Sequence, residues 1–383
     1  MSDFGSLLEG YDRLQQEMEI LQKYGRDYRM ERNRTRAIVE RLHPKRLQLK
    51  VAELIEETYS TRTFRLVARN GYLPPFQAGQ YINLFVNVDG LHTSRPYTIS
   101  SSPRQVGYYD ITVKRMPGGL VSNYLMDRIK VGDELESSGP TGNFYYNPLF
   151  HGKKLCFIAG GAGVTPFVSM VRETLQSGLD RQIHLIYGCQ TLEDVLFYDR
   201  IKDLSVRHDG FSYDLILSEP HKGYGGPTGF IDAQFIKESL HGEKMDMFYI
   251  CGPPAMKEFC AAELKKLGVP RRKIRQEVSP IYGDITQQPG WPEGLSADQT
   301  FTVRAGGREI EAQAGRPILE ALERERIKIP VSCRCGECSY CRVKLLKGEV
   351  FQPEGVLLRE SDRRFGYIHA CKAYPISDIE LLL

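Results

Sequence analysis

Cys333, Cys338 and Cys341 stand at C-x4-C-x2-C spacing, and Cys371 follows thirty residues after the last of them. No other feature restricts this chain so tightly. Three thiolates on one short loop fix most of the shape of a metal centre, and a fourth closes it from a distant loop. This is the spacing by which four cysteines hold a [2Fe–2S] cluster. Gly336 and Ser339 are small enough for backbone N–H groups to approach the sulfurs. The alternative reading is a structural zinc site, because Cys335, Cys338 and Cys341 also offer thiolates at zinc-like spacing. The chain has nine cysteines, an odd number, and five of them fall between Cys333 and Cys371. The opening residues MSDFGSLLEGYDRLQQ carry acids early and lack an apolar leader core. A cytoplasmic location is therefore expected, with the cysteines serving metal or redox chemistry rather than disulfides. Cys156 and Cys260 are expected as small core residues.

The text around the four thiols, SCRCGECSYCRVKLLKGEV and then HACKAYP, resembles the plant-type ferredoxin domain over nearly all of 298–383. The resemblance implies a β-grasp fold with Cys333, Cys338, Cys341 and Cys371 as iron ligands. Cys335 departs from the pattern, standing where that family has a small residue. It is read as a non-ligand that can still exchange into the cluster or suffer oxidation.

At 383 residues the chain has room for two or three domains with cores of their own. A net charge of +3 argues for neither nucleic acid nor an anionic membrane as partner. The longest uncharged stretch, Leu155 to Val171, is broken by glycines and a proline and is too short to span a bilayer. Residues 1–45 read as a helical extension. Leu7, Tyr11, Leu14, Met18 and Leu21 form two heptads, Gly25 interrupts them, and a second helix runs from about Arg26 to Leu42. Residues 24–50 hold nine Lys/Arg against three Asp/Glu. The extension is a helical pair packed on the body with a solvated basic face, or an element that docks a partner or self-associates.

From 46 to 150 the pattern is of short strands: Leu47–Glu56, Thr61–Ala68, Tyr81–Val88, Pro96–Ser100 and Asp110–Lys114, with turn signals at Arg69-Asn70-Gly71 and Asp89-Gly90 and one helix over Val121–Ile129. Such spacing predicts an antiparallel β-barrel. From 151 to 278 apolar runs alternate with helical segments, which predicts a parallel α/β sheet. Residues 279–297 are rich in proline and glycine and read as a linker, and 298–383 form the cysteine-bearing unit. The fold class is thus multi-domain α+β.

Arg95-Pro96-Tyr97-Thr98, then Gly118-Gly119-Leu120-Val121-Ser122, then Gly139-Pro140-Thr141-Gly142-Asn143-Phe144 follow one another through the first unit. Their order and spacing resemble the flavin barrel of the ferredoxin–NADP reductase superfamily. The resemblance assigns Arg95, Tyr97, Thr98 and Ser122 to flavin. A guanidinium suits a flavin phosphate, an aromatic face suits the ring, and the Thr98 hydroxyl can donate to flavin N5. Gly118 and Gly119 allow backbone N–H groups near the phosphate. Lys114 is a further candidate, or else a solvated strand residue. FAD is favoured, with FMN as the alternative.

Gly160-Gly161-Ala162-Gly163-Val164-Thr165-Pro166 follows a strand and opens a helix, the context a dinucleotide loop requires. Pro166 replaces the third glycine of the common fingerprint and suits a first helical turn. Gly161, Gly163, Thr165 and Pro166 therefore face the pyrophosphate. Cys251-Gly252-Pro253-Pro254 is the second half-site. In the superfamily this loop, and its cysteine, lie beside the nicotinamide; otherwise Cys251 is a buried strand-end thiol. Glu277 resembles the acidic residue that approaches the flavin, but the aromatic that usually follows is replaced by Val278. The segment Gly188–Asp194 has no Arg or Lys for a 2′-phosphate, which favours NADH over NADPH.

Over 46–383 the resemblance is to class-one oxygenase reductases with a carboxy-terminal ferredoxin, of the phthalate dioxygenase reductase type. It implies an oxidoreductase with Thr98, Cys251 and Glu277 in the reacting region. Hydride passes from NAD(P)H to flavin, and single electrons leave through the cluster. The expected acceptor is a separate oxygenase or demethylase. The alternatives are another redox metalloprotein that the chain reduces or activates, or a redox-sensing role for the cysteine domain.

Overall fold

The structure is a computed structural model and describes residues 11–25, 34–40, 46–69, 71–278 and 284–383. Two compact units divide at Lys45 and Arg46. In the first, α1 (Tyr11–Tyr24) ends at a bend at Gly25, and residues 34–40 form α2. The rest of the expected second helix lies outside the described residues, as do Asn70 and 279–283.

The larger unit opens with six antiparallel strands: β1 (Leu47–Thr58), β2 (Thr61–Ala68), β3 (Tyr81–Val88), β4 (Leu91–Thr98), β5 (Tyr109–Lys114) and β6 (Glu134–Ser137). They are ordered β4-β3-β6-β1-β2-β5, and an Ile99–Ile111 bridge joins the two edges into a barrel. Asp89 and Gly90 both adopt positive φ, the two-residue turn that matches the twist of a hairpin. That turn corrects one expectation. The strand after it runs Leu91–Thr98, not Pro96–Ser100, because pairing with β3 (Leu84 opposite Arg95, Ile82 opposite Tyr97) overrides the weak strand propensity of Pro96 and carries the ladder back through Ser94. The short, charged β6 gave no alternating signal. Leu49, Phe64, Ile82 and Leu84 fill the barrel, and α3 (Leu120–Arg128) plugs it with Val121 and Leu125.

Next come five parallel strands, β7 (Lys154–Gly160), β8 (Gln182–Cys189), β9 (Phe211–Leu217), β10 (Met247–Cys251) and β11 (Ile274–Gln276), ordered β11-β10-β7-β8-β9. Helices α4 (Thr165–Gln176), α5 (Tyr198–Arg207), α6 (Ala233–Ser239) and α7 (Pro254–Lys266) connect them. Leu155, Phe157 and Tyr249 bury one face of the sheet, and Cys156, Ile158 and Ile250 the other. Cys156 and Cys260 are fully buried, as small core residues are. The strand order reverses between β7 and β10. In open α/β sheets, that reversal leaves a crevice at the carboxyl ends of the strands.

The last sheet, β13-β12-β18-β14-β16, comprises β12 (Thr300–Ala305), β13 (Arg308–Gln313), β14 (Arg342–Lys347), β16 (Tyr367–His369) and β18 (Ile379–Leu382). Helix α8 (Ile318–Arg324) packs over it, β15 (Val350–Phe351) pairs with β17 (Tyr374–Pro375), and α9 (Glu360–Arg364) lies beyond. β12 and β18 run parallel, as in a β-grasp fold. In the proline-rich segment before this sheet, Ile285 and Trp291 pack on Phe351 and Tyr374. That stretch is anchored by aromatic contact, which composition does not reveal.

Candidate functional site

The crevice at the β7–β10 switch opens into a cavity of about 1160 Å³. Gly160–Gly163, Thr165 and Pro166 form one wall, and Cys251–Pro254 form another. Glycine is required here for close approach. A Cβ on Gly163 would overlap the Cys251 carbonyl oxygen, and one on Gly160 would overlap the Met256 sulfur. Gly161 has φ +50°, a conformation that costs other residues energy. The Tyr187 hydroxyl holds the loop by donating to the Gly161 carbonyl at 3.0 Å, and Thr165 Oγ1 donates to the Ala162 carbonyl at 2.7 Å. The loop leads into α4, with Pro166 in its first turn. The N-terminal end of α4 and its dipole therefore lie at the cavity, an arrangement that favours an anion by about 0.3–1 kcal/mol.

At the end of β10 the Cys251 thiol donates to Glu277 Oε2 at 2.9 Å. Burial, then the Glu277 charge, raises the thiol pKa well above the ordinary value, so Cys251 stays protonated. Lys257 Nζ donates to the Glu277 backbone carbonyl at 2.5 Å, and the Glu277 N–H donates to Ile250 at 3.0 Å. The acid is thus fixed through its backbone while its carboxylate faces the cavity. Burial lowers the Lys257 pKa, and Glu277 opposes that shift.

Tyr97, Thr98 and Lys114 line the barrel side of the same cavity. Burial raises the Tyr97 pKa, which marks it as an aromatic surface rather than an acid. Lys114 Nζ lies 3.6 Å from Asp194, which also accepts from Thr191 at 3.0 Å. The Ser122 hydroxyl accepts the Met116 N–H at 3.2 Å, which orders the turn containing Gly118 and Gly119 next to lining residues Met116 and Pro117. Arg95 is placed differently. It does not line the cavity; its Nη1 donates to the Ser94 carbonyl at 2.8 Å and to Thr93 Oγ1 at 3.2 Å, on the side of the barrel that meets the last domain. Burial, then the nearby Arg334, lowers the Arg95 pKa. Val278 lines the cavity where the aromatic is missing, and Cys333, Cys335 and Glu337 complete the wall beside it.

The cysteine loop is held in an unusual backbone course. Arg334, Gly336 and Ser339 all have positive φ. Cys333 Sγ accepts backbone N–H groups from Cys335 and Cys338, each at 3.4 Å. The Cys333 sulfur lies within hydrogen-bond reach of those of Cys335, Cys338 and Cys371, and that of Cys341 within reach of Cys371. His369, fully buried, bridges the loop from Nδ1 to the Gly336 carbonyl at 3.0 Å and from Nε2 to Ser339 Oγ at 3.1 Å. Four convergent thiols with amides aimed at a sulfur are the donor set an iron–sulfur cluster needs, so the residues present fit that group. Cys335 Sγ also donates to Glu337 Oε2, at 3.6 Å. Sequence reasoning missed Arg334, Lys257, His369 and Glu337, none of which belongs to a recognised spacing.

Comparison with known proteins finds three family matches along the chain. Residues 46–146 match the oxidoreductase FAD-binding domain, 157–262 the oxidoreductase NAD-binding domain, and 301–375 the 2Fe-2S iron-sulfur cluster binding domain. One component of the 1,2-phenylacetyl-CoA epoxidase of Escherichia coli is 31% identical over 79% of this chain and 86% of its own length. The glycine betaine monooxygenase reductase subunit of Pseudomonas aeruginosa is 28% identical over 86% of this chain and 93% of its own. The NADH oxidoreductase HCR of Escherichia coli is 29% identical over 87% and 97%. Among solved structures, phthalate dioxygenase reductase superposes with a TM-score of 0.63 at 26% identity, covering 88% of this chain and 98% of that one. The 2Fe-2S match replaces the zinc alternative.

Proposed function

Because this chain belongs to the ferredoxin–NADP reductase-like oxidoreductases that carry FAD-binding, NAD-binding and carboxy-terminal [2Fe–2S] domains on one polypeptide, we propose that it draws electrons from NADH and delivers them to a separate oxygenase. One observation carries this reading: a single cavity is bounded by the barrel pair Tyr97 and Thr98, by the glycine loop with Cys251 and Glu277, and by Cys333 of the thiol loop. Bound flavin would supply acceptance of a hydride, and the cluster would supply release of electrons one at a time.

The residues divide the remaining work. Gly161, Gly163, Thr165 and Pro166 hold the dinucleotide pyrophosphate at the N-terminal end of α4. Gly252 and Pro253 shape the nicotinamide end beside Cys251, whose thiol is uncharged and donates to Glu277. Glu277 fixes that thiol. Tyr97 and Thr98 face the flavin ring, with Lys114, Gly118, Gly119 and Ser122 toward its phosphate. Cys333, Cys338, Cys341 and Cys371 hold the iron. Arg95 reaches the phosphate only after leaving its present bonds to Ser94 and Thr93.

The acceptor is read as an oxygenase because the epoxidase and monooxygenase relatives are by name components of such systems. In the extension, Met18, Ile20 and Leu21 are about half exposed, which suits a docking or self-association role for α1. Mixing the chain with candidate oxygenases and NADH tests the proposal. Product formation coupled to NADH consumption is expected, and removal of residues 1–44 should weaken it while leaving ferricyanide reduction intact. Coupled turnover with a non-oxygenase metalloprotein, and with no oxygenase, would contradict the assignment of acceptor.

A further inference from the structure

Arg334 sits between Cys333 and Cys335, yet its side chain leaves the thiol loop altogether. It is 7% exposed, and its backbone has φ +57°. Both features carry a cost. A buried guanidinium costs several kcal/mol unless it is paired and hydrogen-bonded, and a left-handed backbone costs a non-glycine residue on the order of 1 kcal/mol. The partners offset the first cost. Arg334 Nη2 donates to Thr93 Oγ1 at 2.9 Å, and Nε donates to Ser94 Oγ at 3.2 Å. Its guanidinium is ion-paired with Glu323 of α8, and the other Glu323 oxygen accepts from Thr93 Oγ1 at 3.1 Å. Ser94 is itself held by Asn83 Nδ2 at 3.1 Å, inside the barrel. The left-handed backbone turns the side chain away from the sulfurs and toward β4.

Thr93 and Ser94 directly precede Arg95-Pro96-Tyr97-Thr98. At about 3.3 Å per strand residue, Ser94 lies roughly 10 Å along β4 from Tyr97. The residues on either side of Arg334 line the same cavity as Tyr97 and Thr98. A single side chain therefore ties the thiol loop to the strand that presents the flavin motif.

We propose that Arg334 is a positioning residue that, with Glu323, Thr93 and Ser94, clamps the cluster loop to strand β4 and thereby fixes the distance electrons cross between the flavin site and the cluster. The inference rests on the electron path given under Proposed function. Electron transfer slows exponentially with separation, so a clamp at this place governs the internal step without touching hydride transfer. Arginine suits the position because its rigid fork reaches Thr93, Ser94 and Glu323 together, which a lysine ammonium does not.

The test uses the full holoenzyme. Arg334→Met, Arg334→Lys, Glu323→Gln and Thr93→Val are compared for iron and sulfide content, for NADH-driven reduction of ferricyanide and of cytochrome c, and for hydrogen–deuterium exchange in 91–98 and 318–324. In Arg334→Met, cluster content and ferricyanide reduction should hold, cytochrome c reduction should fall roughly tenfold, and exchange in both segments should rise, as expected when a catalytic geometry loosens. Arg334→Lys should fall less. A cluster-loaded Arg334→Met that reduces cytochrome c at the wild-type rate with unchanged exchange overturns the clamp. If Arg334→Met loses its cluster, Glu323→Gln and Thr93→Val decide, since both lie outside the loop; wild-type behaviour in both overturns it. Wild-type protein unable to pass electrons from NADH to cytochrome c would sink the electron path instead, and exchange would still judge the clamp.

Discussion

The flavin barrel meets its two neighbours in contrasting ways. Toward the nucleotide domain two ion pairs are long, Lys114 to Asp194 at 3.6 Å and Arg200 to Glu57 at 3.8 Å. The closer ties there are Ser102 to Gln176 and Ser169 to the Ser101 carbonyl, both at 2.7 Å along α4, and Arg275 Nη2 to the Asn143 carbonyl at 2.6 Å at the cavity wall. Toward the ferredoxin domain a buried arginine, a glutamate and two hydroxyls interlock around Arg334. The contrast matches the traffic. A dinucleotide must enter and leave the first junction, whereas only electrons cross the second. A junction that passes molecules keeps a cavity between its contacts, and one that passes electrons can be closed by a buried cluster.

The largest effect should come from the cysteines. Cys371→Ser should remove the cluster and cut NADH-driven cytochrome c reduction at least 100-fold while ferricyanide reduction persists, because one lost thiolate opens the set of four. Cys335→Ser should retain cluster and activity. Equal loss in both variants, followed by iron content, would make Cys335 a ligand and redraw the loop.

Gly163→Val attacks the other junction. Its side chain would collide with the Cys251 backbone and should lower ferricyanide reduction by roughly 100-fold, in keeping with the cost of small misplacements at a reacting site. The cluster spectrum should not change. Parallel damage to both would mean that the two junctions are not independent.

These two sites also differ in how far the sequence reveals them. The thiol spacing and both glycine loops are legible because each is local, with its function written into residues a few positions apart. The closure of the barrel by Ile99 and Ile111, the course of β4, and the meeting of Arg334 with Thr93 depend on partners up to 241 residues away. Arg334 reads in isolation as one more solvated cation. Arg95 shows the opposite case. Its motif is plain in the sequence, whereas its bonds to Thr93 and the Ser94 carbonyl, beside Arg334, come only with the fold.

Cys251→Ala should slow the NADH-dependent step about tenfold, near 1.4 kcal/mol of barrier. The wild-type rate should show no alkaline limb from this thiol, since its pKa is raised by burial and by Glu277. Its protonated state contributes stability in full below the unfolded thiol's ionisation near 8.5, and that contribution is lost as pH climbs from there toward the raised folded value. Denaturant unfolding of Cys251→Ala should therefore decline less between about pH 8.5 and 10 than that of wild type. The smallest effect belongs to Arg200→Met. A partly exposed pair with Glu57 at 3.8 Å should cost below about 1 kcal/mol of stability, and its loss should change cytochrome c reduction far less than Arg334→Met.

The central claim is a single path from NADH to an iron–sulfur centre held by the tail. Low-temperature electron paramagnetic resonance of the holoprotein, frozen after anaerobic addition of NADH, tests it most directly. Bleaching of the flavin band together with the rhombic signal of one reduced [2Fe–2S] cluster per chain is the expected result. Bleached flavin with a cluster that stays silent under NADH but is reduced by dithionite would contradict it.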